Sequence, residues 1–279
     1  MIRAVVMVIA AMTLIVGGDM AGKVLTGGGF SPFFVAWARF ALAAVLLFPF
    51  CGLKRSDIAA LWDWRLMLRA ALIAAGISCI LTALATEPVA NVFGGFFIGP
   101  VVAYLLATLL LKEQFSWPRA GLLAISFIGV LVVVRPAAGI SAGMGFAVLA
   151  GCFHGSYLVA TRWLAGSYRP RFLLWSQLVI GTVLLAPIAI GNVPRIDGFA
   201  GLLLTLSALG SALGNLLLVL VNRTTPANVI APLIYSQIII GALFGWLVFA
   251  QVPDAMTYLG LSIIVVAGVA SVWVAGRGR

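Results

Sequence analysis

The sequence predicts an all-α, polytopic membrane protein of ten transmembrane helices, arranged as two inverted five-helix repeats. Three observations carry that prediction. Apolar residues make up 63% of the 279 residues and charged ones only 9%, against about 45–50% and about 25% in soluble domains. Proline, tryptophan and asparagine recur at one nearly constant offset. Lysine and arginine fall overwhelmingly on one side of the spans. A globular protein of this size cannot hide so much apolar surface from water, so its solvent is lipid. A span needs roughly 20 apolar residues to cross ~30 Å of hydrocarbon. The chain therefore accommodates about ten crossings with short connections and no separate soluble domain.

The expected helices cover about 4–24, 32–50, 66–85, 88–111, 118–135, 142–164, 172–190, 199–221, 227–250 and 256–275. Met1-Ile2-Arg3 ahead of an apolar run mimics a secretory signal. Apolar segments continue along the whole chain, so the run reads as a retained first span, closed by Gly27-Gly28-Gly29. Pro32 opens the second helix, and Lys54-Arg55-Ser56-Asp57 separates it from the third. Glu87-Pro88 divides the third from the fourth, which contains Pro100 and stops at Lys112-Glu113-Gln114. The fifth ends at Arg135-Pro136, and Arg169-Pro170-Arg171 parts the sixth from the seventh. Asn192 to Asp197, Arg223 to Pro226 and Pro253-Asp254 bound the last three. Each break combines proline, glycine or short polar residues that end helices or start turns.

Ten spans with a cytoplasmic amino terminus place thirteen cations on the cytoplasmic side: Arg3, Lys54, Arg55, Arg65, Arg69, Lys112, Arg119, Arg162, Arg169, Arg171, Arg223, Arg277 and Arg279. Lys23, Arg135 and Arg195 fall on the other side, and Arg39 lies within a span. That split follows the positive-inside rule and predicts that both termini are cytoplasmic. The net charge of +10 does not indicate a nucleic-acid partner, because the cations sit in short clusters between apolar runs. Cys51, Cys79 and Cys152 are odd in number and far apart, so neither a disulfide framework nor a metal site is expected. No cofactor is expected either.

The repeat is read from the second and seventh helices. Ser31-Pro32-Phe33-Phe34-Val35-Ala36-Trp37 with Val45-Leu46-Leu47-Phe48-Pro49 corresponds to Arg169-Pro170-Arg171-Phe172-Leu173-Leu174-Trp175 with Val183-Leu184-Leu185-Ala186-Pro187. The offset is 138. Ala90-Asn91-Val92 matches Ala227-Asn228-Val229 at 137, and Gly121 and Gly129 match Gly260 and Gly268 at 139. The expected units are residues 1–138 and 139–279. Five helices per unit make the second copy enter the membrane inverted, the construction of many secondary transporters.

With these segments in place, the chain resembles the drug/metabolite transporter superfamily, in particular its ten-helix EamA-type exporters. The resemblance rests on the paired halves, Arg39-Phe40, Pro100, Leu109-Leu110-Leu111-Lys112-Glu113 and the Gly121 to Gly129 spacing. In detail it is most similar to the aromatic amino-acid exporters of bacterial inner membranes. The second half departs from the pattern, with Gln177 opposite Arg39 and Ala250-Gln251 opposite Glu113-Gln114. No glutamate occurs in the first helix, so the resemblance does not extend to proton-coupled export of cationic drugs.

A charge in hydrocarbon costs about 2.5–3.5 kcal/mol on insertion scales, so each buried one needs a partner or a role. Asp19 and Lys23 stand four apart on one helical face. They form either a local ion pair or, with Arg39 and Glu87, an outer cluster that serves as a gate or as structural glue. His154 sits mid-span between Gly151 and Gly155, either satisfied by a neighbouring helix or acting as a substrate contact or proton carrier. Tyr157 and Trp163 follow it one and two turns on, and Tyr235 and Gln237 lie on the ninth helix. With Asn91, Asn215 and Ser78, these eight residues are the candidate central cavity, although aromatic residues in spans also pack or face lipid. Pro100 and Pro232 are candidate hinges, since helix breaks are tolerated where they line a cavity. The pairs Gly18/Gly22, Gly95/Gly99, Gly151/Gly155, Gly210/Gly214 and Gly241/Gly245 predict close helix seams, static or sliding.

The expected function is export of small organic solutes by alternating access across the bacterial inner membrane. Neutral or aromatic amino acids and related metabolites are the substrates the resemblance implies. The partners are thus a small-molecule substrate and the lipid bilayer, without nucleic acid, and the oligomeric state stays open, a monomer included. An enzyme would need clustered His, Asp, Glu or Cys, and none is present in the sequence pattern. A channel or non-transporting scaffold remains the alternative, though no filter-like motif or ring of charge is visible.

Overall fold

A computed structural model describes residues 2–112, 115–135, 139–164, 166–224 and 233–277. Among them every regular element is helical. In chain order these are α1 (Ile2–Gly27), α2 (Pro32–Leu47), α3 (Arg55–Ala60), α4 (Trp64–Thr86), α5 (Val89–Phe96) and α6 (Gly99–Leu110). They continue as α7 (Trp117–Val134), α8 (Ala142–Trp163), α9 (Pro170–Ala189), α10 (Gly198–Thr224), α11 (Ser236–Phe249) and α12 (Ala255–Arg277). By length and composition seven segments suffice to cross a membrane, and three shorter apolar helices (Ala120–Val134, Ser236–Phe249 and Ala255–Ala270) accompany them. Large apolar side chains such as Val45, Leu109, Val183, Leu247 and Val266 point outward. An exposed apolar belt of this kind suits lipid and not water.

Local chemistry sets the helix ends. Pro32, Pro118 and Pro170 occupy first-turn positions, where the missing N–H removes nothing the helix needs. The side chains of Asp63 and Ser141 cap α4 and α8 by accepting from the backbone N–H groups of Arg65 (2.9 Å) and Met144 (3.1 Å). Asp197 and Asp254 do the same for Ala200 and Thr257. Lys112 and Ala250, equivalent at the 138-residue offset, both take a left-handed backbone, with φ of 54° and 52°. Non-glycine residues rarely adopt that conformation, so the same strained stop closes the fourth and ninth segments.

Two features depart from the expected elements. The stretch expected as a loop after the second helix contains α3, started by the Asp57 carboxylate accepting from the Lys54 backbone N–H (2.8 Å). The fourth helix is not continuous but breaks at Phe97–Ile98 into α5 and α6. Pro100 brings no N–H to the Phe96 carbonyl, and the chain passes the gap with the shorter bond from Ile98 N to Gly95 O (3.3 Å). Pro232 lies outside the described residues, as does Asn228.

Packing respects the repeat. α1 lies along α10 and α4 along α8, which are equivalent pairs, while α2 meets α9 and α7 meets α12 across an internal pseudo-two-fold axis. At the end of the bundle bearing the α3–α4 and α8–α9 connections, Asp63 also accepts from the Tyr168 hydroxyl (2.7 Å) and pairs with Arg65 (3.0 Å). These bonds from Arg65, then Tyr168, hold the Asp63 carboxyl at about 2, below its ordinary 3.8. A depressed carboxylate pKa contributes stability that is present above 3.8 and is lost as pH falls through about 2. The melting temperature of the wild type is therefore expected to exceed that of Asp63→Asn at pH 5–7, the gap narrowing as pH falls to 2. A gap unchanged across that range would show that the cap carries no linked proton.

Candidate functional site

Where α2, α4, α9 and α10 meet on the pseudo-two-fold axis they enclose a small cavity. Arg39, Phe40, Ala43, Ile73, Ile77, Leu174, Gln177, Leu178, Ser211, Ala212 and Asn215 line it. Four pairs among these are equivalent at the 138-residue offset: Arg39 with Gln177, Phe40 with Leu178, Ile73 with Ser211 and Ile77 with Asn215. The cavity thus straddles the junction of the two halves, with Arg39, Gln177, Ser211 and Asn215 as the polar members of its lining. It encloses about 30 Å³, room for a water or two. Pockets that hold organic ligands run to roughly 300–1,000 Å³. The helices stand closed around the axis.

Buried polar links run from this cavity toward both ends of the bundle. On one side Arg39 donates from Nη1 to Asp19 Oδ1 at 2.6 Å, with both side chains about 95% buried. This ties α1 to α2, and Arg39 Nε has no partner. The local pairing of Asp19 with Lys23 expected from their i,i+4 spacing does not form. Instead the Lys23 ammonium donates to the backbone carbonyls of Leu84 and Glu87, the latter at 2.9 Å. Those carbonyls end α4, where a cation satisfies acceptors the helix leaves over. The Glu87 carboxylate accepts from the Ser141 hydroxyl at the start of α8, so the hydrogen bond of Glu87 with Lys23 is made by its backbone carbonyl.

On the other side the equivalents of Asp19 and Arg39 are Tyr157 and Gln177, and the Tyr157 hydroxyl donates to Gln177 Oε1 at 2.8 Å. An ion pair in the first half is matched by a neutral hydrogen bond in the second. Arg69 completes the neutral side. Its Nη2 donates to the Tyr157 hydroxyl, its Nε to Thr161 Oγ1 and its Nη1 to the Leu173 carbonyl, each at 2.8 Å. The guanidinium is buried and, among the described residues, no carboxylate pairs with it.

The expected site residues fall into two groups. Tyr157 lies 5.9 Å from His154 between ring centroids; His154 packs at a tilt on Phe96 (5.1 Å), Phe96 edge-on to Phe97 (6.1 Å) and Phe97 at a tilt on Tyr235 (5.2 Å). A continuous row of rings thus joins His154, Tyr157 and Tyr235 to Gln177, and Asn215 lines the cavity itself. The other four expected residues lie apart from the cavity. Trp163 is exposed at the end of α8, edge-on to Trp64 at 5.5 Å. Asn91 accepts from the Thr257 hydroxyl at 3.0 Å and ties α5 to α12. Gln237 and Ser78 are buried away from the cavity lining, and Ser78 Oγ has no partner. Gln177, Ser211 and Arg69 are the site residues the sequence reading missed. The mismatch between Arg39 and Gln177 at equivalent positions was the signal for the first. Nothing in the sequence separates Arg69 from the ordinary flanking cations.

The break in the fourth segment faces α8. A Cβ on Gly151 would fall 2.3 Å from the Phe96 carbonyl oxygen, and one on Gly155 would fall 2.4 Å from that of Gly99. Only glycine lets α8 approach the backbone of this break so closely. Pro100, the described candidate hinge, stands at this seam.

A model of the EamA-like transporter family matches the chain twice, over residues 2–135 and 141–273. The chain belongs to this family. EamA relatives include the pseudopaline exporter CntI of Pseudomonas aeruginosa, 29% identical over 209 residues, which are 74% of this chain and 73% of the relative. The riboflavin transporter of Vibrio cholerae is 26% identical over 239 residues, 84% of this chain and 80% of that protein. The S-adenosylmethionine uptake transporter of Rickettsia felis is 26% identical over 262 residues, 89% and 85% of the two chains. A protein of known crystal structure superposes with a TM-score of 0.67 over 99% of both chains at 15% identity, a likeness that shows the fold alone. This EamA protein is a small-molecule transporter of the membrane and not an enzyme. The three relatives are named for a range of solutes rather than for aromatic amino acids.

Proposed function

We propose that this EamA protein is a secondary carrier that exports small organic solutes, amino acids or related metabolites, across the bacterial inner membrane by alternating access. In this reading ten spans leave both termini cytoplasmic, the units 1–138 and 139–279 rock against each other, and Pro100 and Pro232 act as hinges. The observation that carries it is the cavity lined by equivalent residues of both halves. A site shared across a pseudo-two-fold axis is reached from either face by opposite tilts of the same two units. The Asp19–Arg39 pair and the Arg69–Tyr157–Gln177 chain then close its two ends. The named relatives widen the candidate solutes beyond amino acids to larger metabolites.

Purified protein in liposomes preloaded with unlabelled phenylalanine or leucine tests this. Entry of the labelled amino acid is expected to saturate and to be accelerated by the preload. Asn215→Leu and Tyr157→Phe are expected to lower the saturable rate at least about tenfold, the effect of one lost buried hydrogen-bonding group in a site. Linear, unsaturable entry would make the protein a channel. Accelerated exchange confined to other metabolites would remove the amino-acid assignment and keep the carrier.

A further inference from the structure

Arg69 stands one turn from Ile73 of the cavity lining, buried, with no carboxylate opposite it among the described residues. Its guanidinium lies 4.8 Å over the Tyr157 ring and spends its N–H groups on Thr161, Leu173 and Tyr157. A guanidinium donates and never accepts, whereas a hydroxyl does both. Each hydroxyl that accepts from Arg69 therefore turns its own proton elsewhere. Thr161 gives its proton to the Tyr157 carbonyl at 2.8 Å, and Tyr157 gives its own to Gln177 Oε1 at 2.8 Å. The direction of the whole chain is set at Arg69. It ends at the Gln177 amide, whose oxygen is turned to Tyr157 and whose N–H₂ is left over for the cavity that Gln177 lines.

We infer that Arg69 is a positioning residue for the transport site: through the Tyr157 hydroxyl it fixes the Gln177 amide so that the cavity presents a donor there, to an acceptor oxygen of the solute. The inference rests on the reading of the cavity as the transport site and adds the residue that sets its polarity. The two ends of an amide are alike in shape and opposite in hydrogen bonding, so its orientation comes from its neighbours. The Asn215 amide is fixed within its own helix, donating to the Ser211 carbonyl at 2.8 Å. Gln177 makes no such bond along α9 among the described residues and takes its orientation from α8 and α4. An unpaired charge inside a membrane is costly, and here it has a use: a neutral side chain that both donates and accepts would not impose one direction. The equivalent residue of the second half, Ser207, spends its proton on the Gly18 carbonyl at 2.8 Å, so the cue comes from one half alone.

The test measures saturable exchange of labelled leucine or phenylalanine in liposomes holding the full-length protein, and separates half-saturation from maximal rate. Arg69→Met keeps an apolar stem and removes the donors. It is expected to raise the half-saturation concentration about tenfold, the worth of one hydrogen bond. Arg69→Lys also donates only, and is expected to recover most of that loss. A Gln177→Met background has no amide to orient, so Arg69→Met should raise half-saturation little further there. A purely structural arginine would give additive losses instead. Tyr157→Phe cuts the chain at its middle and is expected to follow Arg69→Met in both backgrounds, so it decides the matter should Arg69→Met not fold. Equal losses with and without the Gln177 amide, an unchanged half-saturation, or a loss confined to maximal rate overturn the positioning role and leave the carrier standing. No saturable exchange of either amino acid by the wild type overturns the amino-acid reading and the inference with it.

Discussion

Replacing Asp19 with alanine while Arg39 remains is expected to cost about 3–5 kcal/mol. This is the usual penalty for leaving one member of a buried ion pair behind. The pair bridges α1 and α2 with both side chains almost wholly buried. Arg39 already has one orphaned nitrogen, and among the described residues Asp19 provides its hydrogen bond. Removing the carboxylate strands a guanidinium that is almost wholly buried. Arg39→Ala strands the carboxylate in the same way. The double variant Asp19→Asn/Arg39→Gln removes both charges and keeps polar groups of similar size, so it should melt much closer to wild type than either single charge removal. Melting temperatures in detergent for the wild type, Asp19→Asn, Arg39→Gln and this double variant give the coupling directly. Additive losses would mean that the two residues are stabilised independently, and the ion pair would then be incidental. The second half offers a natural precedent, because its equivalent pair, Tyr157 and Gln177, is neutral.

How far the sequence reached can be judged on the same residues. Helix positions were legible because apolar content, proline at helix starts and short polar breaks act locally, and lipid leaves a chain few alternatives. Partners between helices were not. The i,i+4 rule put Lys23 beside Asp19, since it knows only one helix, but Arg39 presents a planar donor set across the α1–α2 contact. Lys23 has a stem long enough to reach the end of α4. The Pro100 break was hinted at by the proline, yet its place at Phe97–Ile98 depends on α8 packing against the freed backbone. Trp163 illustrates the converse error. The nine residues from His154 to Trp163 rise about 13.5 Å along one helix, which carries a residue from the middle of the bundle to its end. The candidate site was therefore half legible: the row from Tyr235 to Tyr157 and the amide of Asn215 were in view, while Gln177, Ser211 and Arg69 required the tertiary fold.

Gly151→Ala is expected to be as damaging as loss of the ion pair, although it adds one methyl group. The new Cβ would stand 2.3 Å from the Phe96 carbonyl oxygen and 2.7 Å from the Ile98 side chain. Overpacking a core costs typically 1–3 kcal/mol when side chains yield, but a backbone carbonyl has no rotamer to change. The cost should reach or exceed the upper figure, or α8 must move away. Gly155→Ala repeats the case against the Gly99 carbonyl at 2.4 Å. Gly145 on the same helix supplies the control. Its Cβ would meet nothing within 4 Å, so Gly145→Ala should be neutral or slightly stabilising, alanine being the better helix former by up to about 1 kcal/mol. Melting temperature separates the two outcomes. If Gly151→Ala and Gly145→Ala melt alike, α8 is not held against the broken segment as tightly as the structure has it. If Gly151→Ala folds but its saturable flux collapses, α8 has been pushed outward with His154 and Tyr157 on it. The row of rings that leads from Tyr235 to Gln177 would then be cut at the contact between Phe96 and His154.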